Sequence, residues 1–250
     1  MIQYMPPPCQ IRPFRICLHG ASGRMGQRID LVAQHSNGSV VVVARHDLSP
    51  QDSAVPSRSI ESEFEAVIDF SSDAGSRSAV RLAQKANVAI LIGTTGLSDE
   101  TKEAMKIASS QIPVLIAPNT SIGVAVMRYL VSEAARLLSP DFEVSITEAH
   151  HVKKLDQPSG TALALADSVA RGRGKPFPFE LIESIREGDV VGDHEVIWSG
   201  PGEKLSLRHH AENRDLFALG AIRLAFWVAK QLPGLYGLDD WFVDIRKATD

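Results

Sequence analysis

Phe14-Arg15-Ile16-Cys17-Leu18-His19 is a short, largely apolar run, and Gly20-Ala21-Ser22-Gly23-Arg24-Met25-Gly26 follows it without a break. A run of that length closed by glycine reads as a buried strand. Glycines at the first, fourth and seventh places of the turn allow a tight bend, let backbone approach a bound group, and let the next helix pack closely on the strand. The N–H groups at the start of that helix attract an anion such as a pyrophosphate. The spacing departs from G-x-G-x-x-G, and alone it also fits a plain strand-to-helix turn. Its place at the opening of the first β–α–β unit points to dinucleotide binding. Gly20, Ala21, Ser22, Gly23, Arg24 and Met25 are therefore the candidate phosphate-loop contacts, with Arg24 at the helix start able to face a phosphate.

Outward from this turn, short apolar runs alternate with longer helical stretches. Strands are expected over residues 14–19, 40–44, 66–70, 89–92 and 114–117, and helices over 24–34, 76–86 and 99–109. That rhythm predicts a Rossmann-type, doubly wound parallel sheet with helices on both faces. After Asn119 the pattern changes. A long helix over 122–138 precedes alternating runs over 143–148, 180–186, 190–198 and 204–209, with another helix from Thr161. The expectation is a second, α+β domain on a mixed or antiparallel sheet, spanning 121–212, with 1–120 plus 213–250 forming the dinucleotide-binding domain. The helix over 217–231 would return to the first domain.

The end of the second strand usually selects the cofactor, because an acid accepts the ribose hydroxyls and Arg accommodates a 2′-phosphate. Here the chain reads Ala44-Arg45-His46-Asp47. Arg45 and His46 suggest NADPH, Asp47 leaves NADH open, and Arg45 could equally be a solvated cation. In open α/β sheets ligands lie outside the carboxyl ends of strands. The turns containing Gly93, Thr94 and Thr95 and then Ala117, Pro118, Asn119 and Thr120 are thus candidates for the nicotinamide end, though helix capping explains such turns too.

The densest chemistry lies in Glu148-Ala149-His150-His151-Val152-Lys153-Lys154-Leu155-Asp156-Gln157-Pro158-Ser159-Gly160-Thr161. Two His and two Lys make a positive island on a chain of formal charge −4. Pro158 breaks any helix before it and Ser159 can cap the one that follows, which places the island on a loop before a helix N-terminus. Imidazolium groups, Lys154 and the N–H groups near Gly160 and Thr161 suit an anionic small molecule, and a His passes protons near neutral pH. A solvated loop is the plain alternative. A metal would need a third ligand, from Glu148 or the distant His209-His210 pair, and no metal is expected. His209 and His210 read chiefly as structural.

Composition narrows the class. The 250 residues are 44% apolar and 22% charged, as in globular proteins, and 30 acidic against 26 basic residues argue against a nucleic-acid-binding role. Two cysteines, Cys9 and Cys17, cannot make a disulfide framework or a cysteine zinc site. No uninterrupted apolar stretch has the length of a membrane span, and Met1 to Phe14, with prolines at 6, 7, 8 and 13, lacks the features of a secretory signal. A cytoplasmic protein is expected.

Together, residues 20–26, 93–96, 117–119, 148–151, 154–163, 184–192 and 220–223 resemble dihydrodipicolinate reductases, in that family's order and from about Arg15 onward. The resemblance implies reduction of the cyclic dicarboxylate 4-hydroxy-tetrahydrodipicolinate, with loss of water, by NADH or NADPH, in lysine and diaminopimelate biosynthesis. It implies His150 as proton donor or acceptor and Lys154 as a second proton donor. His151, Gly160 and Thr161 would contact substrate; residues 20–25, 93–95 and 117–120 would contact cofactor. It also implies a homotetramer assembled through the second domain's sheet, with closure between domains. Arg45-His46 and Thr120 depart from the family's usual residues, and residues 48–60 are short and polar. The alternatives are another two-domain nicotinamide dehydrogenase acting on an amino acid or sugar, or a non-catalytic NAD(P) sensor.

Overall fold

The computed structural model describes residues 12–47 and 64–247. Most of the proline-rich arm and the polar segment at 48–60 lie outside the described residues. The chain divides into two compact units, residues 1–120 with 215–250, and residues 121–214.

The first unit is built on six parallel strands: β1 (Phe14–His19), β2 (Val40–His46), β3 (Ala66–Asp69), β4 (Ala89–Ile92), β5 (Pro113–Ile116) and β10 (Gly234–Tyr236). Their order is β10-β5-β4-β3-β1-β2, with every neighbouring pair parallel. All four residues of β3 and of β4 are buried, as strands covered on both faces require, and Asp69 at the end of β3 is the one polar residue among them. Helices α2 (Asp73–Ala86) and α3 (Asp99–Ala108) pack against each other, and α1 (Arg24–Gln34) packs against α6 (Asp215–Val228), which also lies on β3, β4 and β5. Small residues Ala218, Gly220, Ala221 and Ala225 on the buried face of α6 permit that close approach. This is the doubly wound sheet expected from the sequence, and its order reverses between β1 and β3.

The second unit carries β6 (Glu143–His150), β7 (Ile182–Arg186), β8 (Asp193–Gly200) and β9 (Glu203–His210) in the order β7-β6-β8-β9. The β6–β7 pair is parallel and the other two are antiparallel, so the sheet is mixed. Helices α4 (Ile122–Leu137) and α5 (Gly160–Arg173) pack on each other, and Met127, Val131, Val144, Ile146, Leu165, Val196 and Trp198 form the core between helices and sheet.

Several boundaries differ from those expected. Helix α2 starts at Asp73, three residues early, because Ser72 Oγ accepts from the Gly75 N–H and caps it. The strand expected from Val190 begins at Asp193. Strand β7 begins at Ile182, after a 3-10 turn at Phe179–Leu181. Helix α6 spans Asp215–Val228. Strand β10 and helix α7 (Leu238–Lys247) were not anticipated; three residues of β10 carry too little periodicity to announce a strand. His150 ends β6 and is buried, whereas a loop was expected. Its alternation with Glu148 continues the buried face of the strand beyond the apolar positions.

Candidate active site

The first unit gathers its candidate residues at the carboxyl ends of β1, β3, β4 and β5. Gly20 has φ of +81°, and a Cβ there would stand 2.4 Å from the Phe70 carbonyl oxygen. A Cβ on Gly26 would stand 2.3 Å from the Gly20 carbonyl oxygen. The turn therefore closes only with glycine at both places. Gly23 caps α1 without a side-chain hydrogen bond, and the first turn of α1 contains no acid, so among the described residues no side chain caps its N–H groups. The Ser22 N–H already donates to the Asp47 carboxylate, at 3.0 and 3.2 Å. That contact places a carboxylate of the chain itself on the turn. Arg24 is exposed and Met25 half-buried.

Arg45, the proposed partner of a 2′-phosphate, donates through Nη2 and Nε to Asp30 at 2.6 and 3.2 Å. The His46 ring stacks on His19, with centroids 6.5 Å apart. Beside them the buried Asp69 carboxylate accepts from Ser71 Oγ (2.5 Å), Ser76 Oγ (2.6 Å) and Thr94 Oγ1 (2.7 Å). Thr94 Oγ1 in turn accepts the Ser71 N–H at 2.9 Å, which fixes the turns after β3 and β4 to each other. Gly93 is buried and Thr95 exposed. Ala117 is buried, Pro118 exposed and Asn119 half-buried, while the buried Thr120 donates through Oγ1 to the Phe217 carbonyl at 2.7 Å.

In the second unit, Glu148 and His150 project from the same face of β6 and are both buried. His150 Nδ1 faces Glu148 Oε2. Glu148 Oε1 accepts from Arg186 Nη2 at 2.8 Å and from the Ser159 N–H at 3.3 Å. Arg186 also donates to the carbonyls of Lys154 (3.3 Å) and Asp156 (2.5 Å), tying the loop that carries Lys154 to β7. His194 of β8 meets His150 edge to face, with centroids 5.1 Å apart, and its Nε2 lies 3.3 Å from Ser159 Oγ. Ser159 Oγ caps α5 by accepting from the Ala162 N–H. Lys154 Nζ lies 2.8 Å from Asp156 Oδ1, and the Gly160 N–H donates to the same carboxylate. Thr161 follows in the first turn of α5; His151 is half-buried, with a buried Nδ1.

Electrostatics corrects one expectation. Burial pushes the His150 imidazole below its usual value, and Lys154 and Arg186 push the same way, together outweighing the upward pull of Glu148. Lowering below the ordinary value keeps this ring mainly neutral near pH 7, so the positive charge beside it comes from Lys154 and Arg186 rather than from His150 itself. Burial would raise the Glu148 carboxyl, but Arg186, foremost among its partners, brings it below the usual value. Burial and the neighbouring His150 and His209 lower His194 to about 3. Glu148, His150 and His194 bring ligand atoms within 4.8 Å of one another, a cluster able to face a metal ion, although Arg186 already occupies one carboxylate oxygen. A cavity of about 580 Å³ lies elsewhere in this unit, against Phe142, Val144, Arg173 and Phe177, and includes none of the expected site residues.

Residues 14–120 match the family model described as "Dihydrodipicolinate reductase, N-terminus", and residues 123–242 match "Dihydrodipicolinate reductase, C-terminus". The chain belongs to the dihydrodipicolinate reductase family. A 4-hydroxy-tetrahydrodipicolinate reductase from Methylocella silvestris is 36% identical over 262 aligned residues, covering 90% of this chain and 96% of the relative. One from Stenotrophomonas maltophilia is 38% identical, covering 91% and 97%. A dihydrodipicolinate reductase from Paenisporosarcina sp. TG-14, solved with dipicolinate bound, shares the fold at a TM-score of 0.71 and 23% identity, covering 90% of this chain and 97% of that one. Membership in this reductase family makes the chain a pyridine-nucleotide-dependent oxidoreductase of lysine and diaminopimelate biosynthesis. No helix among the described residues is long and apolar enough to cross a membrane.

His194 escaped sequence reading. Its signal was a polar residue on the buried phase of the alternation Asp193-His194-Glu195-Val196-Ile197-Trp198. Arg186 was noticed only as part of a shared motif.

Proposed function

We propose that this reductase converts 4-hydroxy-tetrahydrodipicolinate to tetrahydrodipicolinate, with His150 and Lys154 handling protons and the start of α5 holding a carboxylate. One observation carries the reading: Lys154 Nζ and the Gly160 N–H converge on a single carboxylate, that of Asp156, within the loop that begins at His150. The same donors suit a substrate carboxylate.

When bound, NADH or NADPH supplies the hydride delivered to ring carbon C4. Gly20, Ala21, Ser22, Gly23, Arg24 and Met25 would hold its phosphates, since Gly20 and Gly26 bring backbone where a Cβ would clash and α1 lacks a side-chain cap. Gly93, Thr94, Thr95, Ala117, Pro118, Asn119 and Thr120 would line the nicotinamide end. Hydride and one proton enter overall, and the 4-hydroxyl departs as water. His150, neutral and hydrogen-bonded through Nδ1, exchanges a proton through Nε2, and the Lys154 ammonium is the second donor. His151, Gly160 and Thr161 bind the dicarboxylate.

Both cofactors are accepted in this reading, with Arg45 and His46 meeting the 2′-phosphate of NADPH. The protein works in the cytoplasm, where these cofactors are drawn on for biosynthesis. It assembles as a homotetramer through the second unit's sheet, where exposed Glu143 and Ser145 of β6 mark the face turned away from the helices. NAD(P)H oxidation should follow addition of freshly generated 4-hydroxy-tetrahydrodipicolinate, with tetrahydrodipicolinate detected by mass spectrometry. Cofactor oxidation only with an amino acid or sugar would instead favour a different dehydrogenase.

A further inference from the structure

Glu148 is the hub of the second unit's polar cluster, and none of the chemistry proposed above uses it directly. Its two oxygens face different partners. Oε1 takes the Arg186 guanidinium and the Ser159 N–H, while Oε2 faces His150 Nδ1. An ionised carboxylate only accepts hydrogen bonds, so the nitrogen facing it must carry hydrogen. The other ring nitrogen, Nε2, stands beside Gly192, where a Cβ would come within 3.1 Å of it. Glycine at 192 therefore keeps space open next to Nε2. Arg186 reaches further, to the carbonyls of Lys154 and Asp156, so the group that holds Glu148 also holds the loop bearing Lys154.

We propose that Glu148 and Arg186 are positioning residues: Glu148 holds His150 as the Nδ1–H tautomer with Nε2 free for proton exchange, and Arg186 braces Glu148 and the Lys154 loop together. The inference rests on His150 being the proton-transfer group, but the tautomer it assigns is independent of that role. A His whose second nitrogen is hydrogen-bonded to a carboxylate is fixed in tautomer and orientation by it. The charged and titratable groups facing His150 are Glu148 on its own strand, Lys154 on the following loop, Arg186 on β7 and His194 on β8.

Glu148→Gln separates orientation from bulk. Two donors at the Oε1 position demand the amide oxygen there, so the amide NH2 turns toward His150 Nδ1 and converts it to an acceptor. The ring should then switch to the Nε2–H tautomer. Nitrogen-15 NMR of labelled protein at pH 8 should show His150 as Nδ1–H in the wild type and Nε2–H in E148Q. Turnover should fall at least tenfold in E148Q with the substrate KM changed less than threefold, and the acidic limb of the pH profile should move to lower pH, because the carboxylate that favours imidazolium is gone. E148D should recover part of the loss, and R186K should lower kcat with the Nδ1–H tautomer retained. A wild-type His150 in the Nε2–H tautomer overturns the proposal without any variant having to fold, as does an E148Q enzyme with unchanged tautomer and turnover. Wild-type turnover in H150Q would instead overturn the assigned role of His150 and leave the tautomer result standing.

Discussion

Asp156 sits 2.8 Å from the ammonium of Lys154 and also takes a hydrogen bond from the N–H of Gly160. Burial would raise its carboxyl, but these contacts, Lys154 foremost, bring it below the usual value. The donors assigned to a substrate carboxylate thus already hold a carboxylate of the protein. Ser22 and Asp47 repeat the arrangement in the first unit. On the proposed reading, substrate binding at Lys154 is an exchange of one carboxylate for another, and its ammonium is the charge at stake.

Lys154→Ala should weaken binding of pyridine-2,6-dicarboxylate by about tenfold, the size of a lost charge-assisted hydrogen bond of ~1.5 kcal/mol, and should also lower kcat. Calorimetry and steady-state kinetics measure the two effects separately. His150→Gln should reduce kcat by on the order of 100-fold or more, the usual share of general acid–base catalysis. Its cofactor affinity, read by nucleotide fluorescence, should be unchanged.

Cofactor choice should respond to the end of β2. Arg45→Ala removes the cation proposed to meet a 2′-phosphate and should lower the NADPH to NADH ratio of kcat/KM. Asp47→Asn removes a negative charge from the same edge and should raise it. Arg45 is half-exposed and paired with Asp30, so solvent screens the effect and each shift should be a few-fold. A ratio unmoved by both substitutions would remove these residues from cofactor selection.

Gly26→Ala should damage the proposed phosphate turn, because the added Cβ would meet the Gly20 carbonyl oxygen at 2.3 Å, with backbone of Ala21 as its next neighbours. We expect at least tenfold weaker NADPH binding in a fluorescence titration, with a lowered Tm. Retained affinity would show that the turn can rearrange without loss.

Stability should fall in mild acid. His194 is lowered to about 3 in the folded chain, against 6.5 for an unhindered imidazole. Its neutral form is thus favoured by folding: the contribution is whole above about pH 6.5 and is lost as pH falls toward about 3, a loss of a few kcal/mol. Urea midpoints measured between pH 7 and pH 4 should decline, and His194→Gln should flatten the decline. An equal slope in the variant would mean that other groups carry it.

The sequence displayed the first unit well, because continuous apolar strands, glycines and periodic helices are local signals; β1, β4 and α1 fall at the expected residues. The candidate site was legible where chemistry is dense in sequence, from His150 to Thr161. What stayed hidden depends on strand pairing. Ala149 lies opposite Ile185 and Glu148 opposite His194, and only that register brings Arg186 and His194 to the Glu148–His150 pair. Burial of His150 was equally invisible, since it follows from β6 running two residues past its last expected position.

A crystal structure of the enzyme with NADPH and pyridine-2,6-dicarboxylate tests the central claim most directly. One carboxylate should lie within hydrogen-bond distance of Lys154 Nζ and the N–H groups of Gly160 and Thr161, with His150 Nε2 facing the ring and the nucleotide phosphates on residues 20–25. A mimic that fails to bind with cofactor present, or that settles away from His150 and Lys154, would contradict the account.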